Sequence, residues 1–292
     1  MSQNEIPPPN FKSTNATTSP PLLVPTALEL ATNQGVTPKR MHRKRGRGAL
    51  GLLVVIAVWE IASLFIHDPV ILPTVQATVT TLFHYINNPY PSEGVTLWQD
   101  ALISLGRILA GFTLGTIIGV AIGATMASVR LIKDLIDPII EVTRPLPPLA
   151  FIPLFIVWFG IGEASKVILI MVGVIPIMAI ATVSALEAVP PELLEAGKVL
   201  GAGPGYNLLH VRVRAALPGI VTGMRIAMGV SWTSIVAVEM IAATSGVGYV
   251  ILQAGSYLVT SLVFTGIILI SALGLFLDAI LRLLLRRLGP TR

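Results

Sequence analysis

The sequence predicts an all-α, polytopic membrane protein with about six transmembrane helices. Hydrophobic residues make up 53% of the 292 residues and charged residues only 12%, roughly half the charged fraction of a typical soluble domain. The mean hydropathy is +0.80. Because so few charged side chains cannot cover a water-facing surface, most of the surface is expected to face lipid. This composition argues against a soluble enzyme.

Six apolar segments are long enough to be spans. A helix needs roughly 20 apolar residues to cross a hydrocarbon core about 30 Å thick. Such segments lie at about 49–66, 101–127, 145–161, 165–187, 217–243 and 260–285. The short turn at 160–163 joins the third and fourth into a helical hairpin. Pro153 and Pro176 are expected to kink these two helices, because each proline removes one backbone hydrogen bond.

The N-terminal region has a different composition. Its first 38 residues are rich in Pro, Ser, Thr and Asn, and a basic cluster at 39–47 comes directly before the first apolar segment. We therefore predict that residues 1–48 are a disordered tail with a basic anchor, followed by a transmembrane domain at 49–292. The order of tail and basic cluster argues against a signal peptide.

Lysine and arginine are distributed unevenly between the loops. The 68–100 and 244–259 loops contain neither, whereas the loops on the opposite side are basic. Because cytoplasmic loops carry the excess of positive charge, both termini are predicted to be cytoplasmic. Topology thus accounts for the net charge of +5, so we expect the lipid bilayer and not nucleic acid as the partner.

Several kinds of chemistry are excluded or not expected. The chain has no cysteine, which excludes disulfides and thiol catalysis. Its four histidines are scattered without ligand spacing, so no metal site is predicted. No G-x-x-x-x-G-K-[ST] phosphate loop is present. No acid–base or nucleophile set converges within the spans, so no catalytic residue is predicted.

The second span carries a glycine at every fourth position. Gly111, Gly115, Gly119 and Gly123 form one smooth stripe, since a helix has 3.6 residues per turn. Such a stripe lets another helix approach closely. We predict a helix-packing face, with a direct role in transport as the alternative.

Ionisable residues within the predicted spans include Glu60, Arg107, Arg225 and Glu239. Such groups are costly facing lipid, so they are expected to face a cavity or a partner. Arg107 lies near the outer end of its helix, where its side chain can extend towards the membrane surface. The surroundings of Glu60 are ambiguous.

The fifth span combines charge and hydroxyl groups on and near one helical face. Arg225 and Glu239 are separated by about 21 Å at 1.5 Å per residue, so they cannot pair directly. One hypothesis is that this face borders a translocation pathway, with candidate lining residues Arg225, Ser231, Trp232, Thr233 and Glu239. The alternative is that Arg225 pairs with carbonyls or acids at a cytoplasmic gate and Glu239 orients the outer loop.

The cytoplasmic loop at 188–216 is unusually structured. Pro190 and Pro191 can open a short helix, with Glu192 in its first turn. Gly201, Gly203 and the following Pro-Gly pair then interrupt it, and a second amphipathic piece at 206–216 leads into the fifth span. The loop is suited to docking a partner protein. A helix lying on the membrane surface is an equally open alternative.

The segment Glu195-Ala196-Gly197-x3-Gly201 resembles the EAA loop of permease subunits of bacterial ATP-binding-cassette (ABC) importers. Gly197 stands where the family has a second alanine, and Val213-Arg214 stand where it has Leu-Pro. The resemblance implies a type I ABC importer transmembrane-domain fold in a non-catalytic subunit. It also implies that an ATPase is contacted by Glu192, Glu195, Ala196, Gly197, Gly201 and Ala202.

The resemblance extends over about 50–290. The segments 137–141, 144–148, 158–163 and 239–248 are similar to the branch that imports taurine, alkanesulfonates and nitrate, and most of all to its taurine-importing members. This implies ATP-driven import of taurine or another alkanesulfonate, with nitrate, bicarbonate or another small anion as the alternative. An ion-driven secondary transporter is the alternative from another class, but the paired helix breaks of two internal repeats are not visible.

The same resemblance implies the partners and the location. They are a second permease copy in a homodimer, two ABC ATPase subunits that bind ATP and magnesium, and an extracytoplasmic solute-binding protein. No cofactor is expected in this chain. The expected location is the bacterial inner membrane.

Overall fold

A computed structural model of the chain describes residues 45–89, 95–143 and 145–288. The chain divides into two compact units, residues 1–52 and 53–292, and only 45–52 of the first are described, as the start of a helix. The predicted disordered tail therefore lies outside the described residues over 1–44. Within the described ranges the secondary structure is helical, without strands.

The helices follow one another with short connections. In chain order they are α1 (Arg45–Ile66), α2 (Val75–Asn87), α3 (Leu97–Ser128), α4 (Arg130–Thr143), a 3₁₀ turn (Pro148–Phe151), α5 (Ile152–Phe159), α6 (Glu163–Glu187), α7 (Pro191–Val199), a single helical turn (Pro204–Tyr206), a π-helical segment (Asn207–Arg212), α8 (Val213–Ala242), α9 (Val247–Ser256) and α10 (Thr260–Leu288).

Four helices of the described part, α3, α6, α8 and α10, are long and apolar enough to cross a membrane. They confirm the helical spans predicted at 101–127, 165–187, 217–243 and 260–285. A fifth span is possible if α4 and the 148–159 segment are counted together, although this pair is bent by 88°. The segment predicted at 49–66 lies in α1, whose apolar part, Leu50–Ile66, is shorter than these four helices, as is α9 (Val247–Ser256).

The segment predicted as a span at 145–161 is not one continuous helix. The α-helical part of this segment is the eight-residue α5, preceded by the 3₁₀ turn. Pro145, Pro147 and Pro148 lack the N–H groups of a regular helix, and each disfavours helical geometry in the residue before it. Pro153 lies in the first turn of α5, where a missing N–H costs nothing, so it helps to begin the helix instead of kinking it.

A tight turn joins α5 to α6, as predicted for the hairpin. Gly160 ends α5 with a φ of +73°, a conformation that glycine adopts without steric cost. Pro176 lies inside α6, which nevertheless runs as one helix from Glu163 to Glu187.

The glycine stripe of α3 lies against α6. A Cβ atom added at Gly111 would be 2.6 Å from the Cβ of Ile170, and one at Gly119 would be 2.6 Å from the Cβ of Met178. Gly115 and Gly123 approach the same helix as closely. Because ordinary carbon contacts are about 3.5–4.0 Å, no larger residue fits at the observed helix separation.

Glu60 connects α1 to α2. Its carboxylate accepts a 2.8 Å hydrogen bond from the backbone N–H of Val75, the first residue of α2. The N–H groups of a first helical turn lack partners within the helix, and a negative charge there is favourable. Trp59 and Ser63 bind the carbonyls of Pro73 and Leu72 in the same connection.

Candidate functional site

The elbow, residues 190–212, consists of α7 and the segment that returns to α8. α7 begins at Pro191, has Glu192 in its first turn and ends at Val199, which confirms the predicted short helix. Gly201 has a φ of +83°, and the N–H of Ala202 donates to the carbonyl of Gly197 at 3.0 Å. This left-handed glycine satisfies the last carbonyls of α7 and reverses the chain.

Gly197 allows close contact between the two arms of the elbow. A Cβ atom at this position would lie 2.9 Å from the Oδ1 atom of Asn207, whose Nδ2 donates to the carbonyl of Leu194 at 2.8 Å. The glycine that replaces the alanine of the EAA pattern therefore makes room for Asn207. Asn207 was missed by sequence reasoning, because a lone asparagine in a loop carries no signal of its contact with α7.

Arg212 ties the returning arm to the ends of two spans. Its Nε donates to the carbonyl of Leu186 at 3.1 Å and its Nη1 to the carbonyl of Ala127 at 3.4 Å. These carbonyls belong to the last turns of α6 and α3, where intrahelical donors are lacking and a positive charge is favourable. Arg212 therefore links the elbow to the tightly packed α3–α6 pair.

The outer turn of the elbow is apolar and accessible. Val199 is 87% exposed and Leu200 86% exposed, and Tyr206 and Leu209 are also exposed. Of the residues that the resemblance assigns to ATPase contact, Glu192, Glu195, Ala196 and Gly201 are exposed, Ala202 is partly buried and Gly197 is buried. An exposed apolar patch of this kind is typical of an interaction site.

Arg107 lies at the centre of a polar cluster at the opposite ends of the spans from the elbow. The cluster is formed near the start of α3, the start of α6 and the end of α8. Its side chain is only 4% exposed, so the expectation that it extends to the membrane surface is wrong. Its Nη1 binds Glu239 at 2.7 Å, and its Nε and Nη2 bind the two carboxylate oxygens of Glu163, each at 2.6 Å. The carboxylates of Glu163 and Glu239 thus replace the water that a guanidinium extended to the membrane surface would reach.

Glu239 organises the loop between α8 and α9. Its carboxylate, 1% exposed, accepts from the Oγ of Ser104 at 2.8 and 2.9 Å and from the backbone N–H of Gly248 at 3.0 Å. Gly246 has a φ of +109°, and any side chain there would collide with this carboxylate. The geometry matches the alternative in which Glu239 orients the outer loop. A pathway role for Glu239 stays a prediction.

Arg225 lies near the middle of α8 and pairs with α10. Its Nε binds Asp278 at 2.7 Å, and Asp278 also binds Arg282 at 2.8 Å. This agrees with the alternative in which Arg225 pairs with an acid. Asp278 was missed by sequence reasoning, although an acidic residue within an apolar helix is a visible signal.

The other candidate pathway residues lie in different environments. Ser231 is buried, with its hydroxyl donating to the carbonyl of Ala227. Trp232 is partly buried beside Gly274, and its indole N–H has no hydrogen-bond acceptor in the described part of the chain. Thr233 is exposed, and an exposed row on α8 contains it together with Thr222, Ile226 and Gly229.

A cavity of about 530 Å³ lies beside the break between α4 and α5. Its walls are mainly apolar and include Pro147, Phe151, Gly173, Pro176, Ile226 and Val230. The break thus leaves open space next to α6 and α8. Because the walls carry few polar groups, the cavity has no fixed site for a charged solute.

Comparison with known proteins agrees with these features. The family described as "Binding-protein-dependent transport system inner membrane component" matches residues 111–290, more than half of the chain. The solved structure of the MetNI methionine ABC transporter in an inward-facing conformation has a similar fold, with a TM-score of 0.50 and 23% identity, covering 66% of this chain and 94% of that one.

Several similar sequences are permeases named for taurine, aliphatic sulfonates or nitrate. The taurine transport system permease protein TauC of Escherichia coli (strain K12) is 37% identical, covering 83% of this chain and 88% of that protein. The putative aliphatic sulfonates transport permease protein SsuC of Bacillus subtilis (strain 168) is 34% identical, covering 88% and 92%. The nitrate import permease protein NrtB of Synechocystis sp. (strain ATCC 27184 / PCC 6803 / Kazusa) is 30% identical, covering 80% and 85%. The chain therefore belongs to the inner membrane components of binding-protein-dependent transport systems, as an ABC importer permease of the taurine, sulfonate and nitrate branch.

Proposed function

We propose that this chain forms the translocation pathway of an ATP-driven importer for taurine or another alkanesulfonate, and that the 190–205 loop couples it to ATPase subunits. The observation that carries the proposal is the elbow. Its outer turn presents exposed apolar side chains, Asn207 joins its two arms through the carbonyl of Leu194, and Arg212 binds the span ends. A displacement of α7 would therefore be transmitted to the membrane domain through only a few contacts.

The partner proteins proposed for this chain are inferred from its family. A homodimer of permeases, two ABC ATPase subunits that bind ATP and magnesium, and an extracytoplasmic solute-binding protein would complete the importer. Both termini and the elbow are on the cytoplasmic side in this arrangement, in agreement with the distribution of lysine and arginine. Selection of the solute would lie mainly with the solute-binding protein.

The pathway is best supported along the exposed row of α8. Thr222, Ile226, Gly229 and Thr233 face outward from the helix, and Ile226 also lines the cavity beside the α4–α5 break. Ser231 and Glu239, which are buried within the chain, would support this row from behind. Small and hydroxyl side chains suit a pathway that releases its solute, because conduction requires weak binding.

Cross-linking tests the coupling role directly. The chain has no cysteine, so Leu200→Cys introduces a unique thiol at the outer turn of the elbow. In the assembled importer this thiol is expected to form a disulfide with a cysteine placed in a surface groove of the ATPase. Tyr257→Cys, which is 63% exposed in the α9–α10 connection on the opposite side of the membrane, is the matched control.

Two results of the cross-linking experiment would count against the coupling role of the elbow. If Leu200→Cys supports transport but cross-links to no cysteine across the ATPase groove, or if Tyr257→Cys cross-links equally, the elbow is not the ATPase contact.

Uptake into proteoliposomes tests the substrate separately. Labelled taurine is expected to accumulate with ATP and to resist competition by excess nitrate, whereas nitrate uptake without taurine uptake would favour the nitrate alternative.

A further inference from the structure

Two buried cations share one exposed carboxylate near the start of α6. The side chains of Arg107 and Lys166 are each 4% exposed, whereas that of Glu163 is 62% exposed. Glu163 receives two hydrogen bonds of 2.6 Å from Arg107 and one of 2.8 Å from the Nζ atom of Lys166. The accessible member of this cluster is therefore its anion.

The two cations depend on Glu163 to different degrees. Arg107 is also held by Glu239 and by the carbonyl of Ser245 at 2.8 Å, so its guanidinium stays in place without Glu163. For the ammonium of Lys166, Glu163 is the acceptor that the described part of the chain provides. Displacement of Glu163 would thus leave a fixed, buried pair of cations with one negative charge missing.

The turn that carries Glu163 has room to move. A Cβ atom added at Gly160 or at Gly162 would meet no atom within 4 Å, so this turn is not packed against its neighbours. Glu163 follows directly as the first residue of α6. Its attachment to the cluster therefore consists of its own side-chain hydrogen bonds.

We propose that Arg107 and Lys166 form an anion-binding site for the sulfonate group of the transported solute, and that Glu163 occupies this site as a displaceable internal counter-ion. The proposal rests on the proposed function, because the sulfonate is that of the expected substrate. A guanidinium presents parallel N–H groups that match two oxygens of an oxyanion. The exchange replaces one negative charge by another, so the charge of the buried cluster is unchanged.

Competition with Glu163 would make the site weak. A tethered carboxylate has a high effective concentration beside its partners, and a free anion must displace it. Weak binding is what a transport pathway requires, since a solute that is held tightly is not released. On the extracytoplasmic side, the site would receive the anion when the solute-binding protein opens.

The test is a thermal unfolding measurement on the complete importer in nanodiscs of zwitterionic lipid. Glu163→Ala empties the site, and methanesulfonate is titrated at constant ionic strength against gluconate. The unfolding temperature of Glu163→Ala is expected to rise and saturate with methanesulfonate, at concentrations at least about 10-fold lower than for the unsubstituted chain. Glu187→Ala is the matched control, because Glu187 is a paired, exposed carboxylate at the other end of the same helix.

Two further variants give the test its specificity. Lys166→Met in the Glu163→Ala background is expected to abolish the response, because it removes the second cation. Glu163→Gln replaces Glu163→Ala if the alanine variant does not assemble, and it is expected to show the same response at higher methanesulfonate concentration. A saturable response that depends on Lys166 supports the site.

Other outcomes overturn the proposal. It fails if neither Glu163 variant shows a saturable response, if Glu187→Ala responds equally, or if only anionic phospholipid in the nanodisc raises the unfolding temperature. Failure here is distinguishable from failure of the proposed function. ATP-driven taurine uptake without a methanesulfonate response removes the anion site alone, whereas the reverse pattern removes the assigned transport and keeps the site.

Discussion

The substitution Gly119→Ala on α3 is the most direct test of the close packing between α3 and α6. The added Cβ atom would be 2.6 Å from the Cβ of Met178 and 2.8 Å from the carbonyl oxygen of Ile175. Both atoms belong to the rigid part of α6, so no flexible side chain can move aside. Restoring contacts of about 3.5–4.0 Å requires α3 and α6 to separate by about 1 Å, and overpacking of this size costs about 2 kcal/mol.

Gly106 on the same helix provides the matched control. It is exposed, and an added Cβ atom would meet nothing within 4 Å. Alanine there removes only the flexibility of glycine, which stabilises a helix by roughly 0.5–1 kcal/mol. The two substitutions have identical chemistry and are expected to change the free energy of unfolding in opposite directions.

The assay is thermal unfolding of the purified importer, followed by tryptophan fluorescence. A loss of about 2 kcal/mol corresponds to a decrease of roughly 4–8 °C in a domain of this size, so Gly119→Ala should unfold clearly below the unsubstituted chain and Gly106→Ala at or slightly above it. Equal unfolding temperatures for the two variants would refute the close-packing argument.

Three further predictions concern the contacts of charged side chains. Glu239→Leu leaves the Arg107 guanidinium buried with one carboxylate instead of two, and the expected loss of about 3–5 kcal/mol is measurable in the same unfolding assay; unchanged stability would contradict it. Arg225→Asp or Asp278→Arg alone is expected to reduce the yield of folded protein in the membrane, and the double exchange should restore it, unless the pair contributes nothing to assembly. Arg212→Gln should lower the number of solute molecules transported per ATP hydrolysed several-fold at unchanged expression, with partial recovery in Arg212→Lys, whereas an unchanged ratio would remove Arg212 from the coupling route.

Features with a regular period or a local signal were predictable from the sequence. Uninterrupted apolar length predicted the helical spans of α3, α6, α8 and α10. Pro191 and Gly201 delimited the helix of the elbow, because both residues act through their own backbone geometry. The glycine spacing on α3 predicted a face, and the structure identifies α6 as the helix lying against it.

Features that depend on distant residues were not predictable. The segment at 145–161 has the hydropathy of a span, but hydropathy averaged along a window ignores the backbone groups that Pro145, Pro147 and Pro148 lack. The partners of Arg107 lie 56 and 132 residues along the chain. Each charge is visible in the sequence, but the pairing depends on how α3, α6 and α8 assemble.

The position of Arg107 has a consequence for biosynthesis. A ribosome adding about 5–20 residues per second reaches Glu239, 132 residues later, about 7–26 s after making Arg107. During that interval the guanidinium lacks a buried carboxylate that later holds it, and an unpaired charge is unfavourable in lipid. We therefore expect newly made α3 to remain beside the insertion machinery until α6 and α8 emerge, and these helices to leave it as a group.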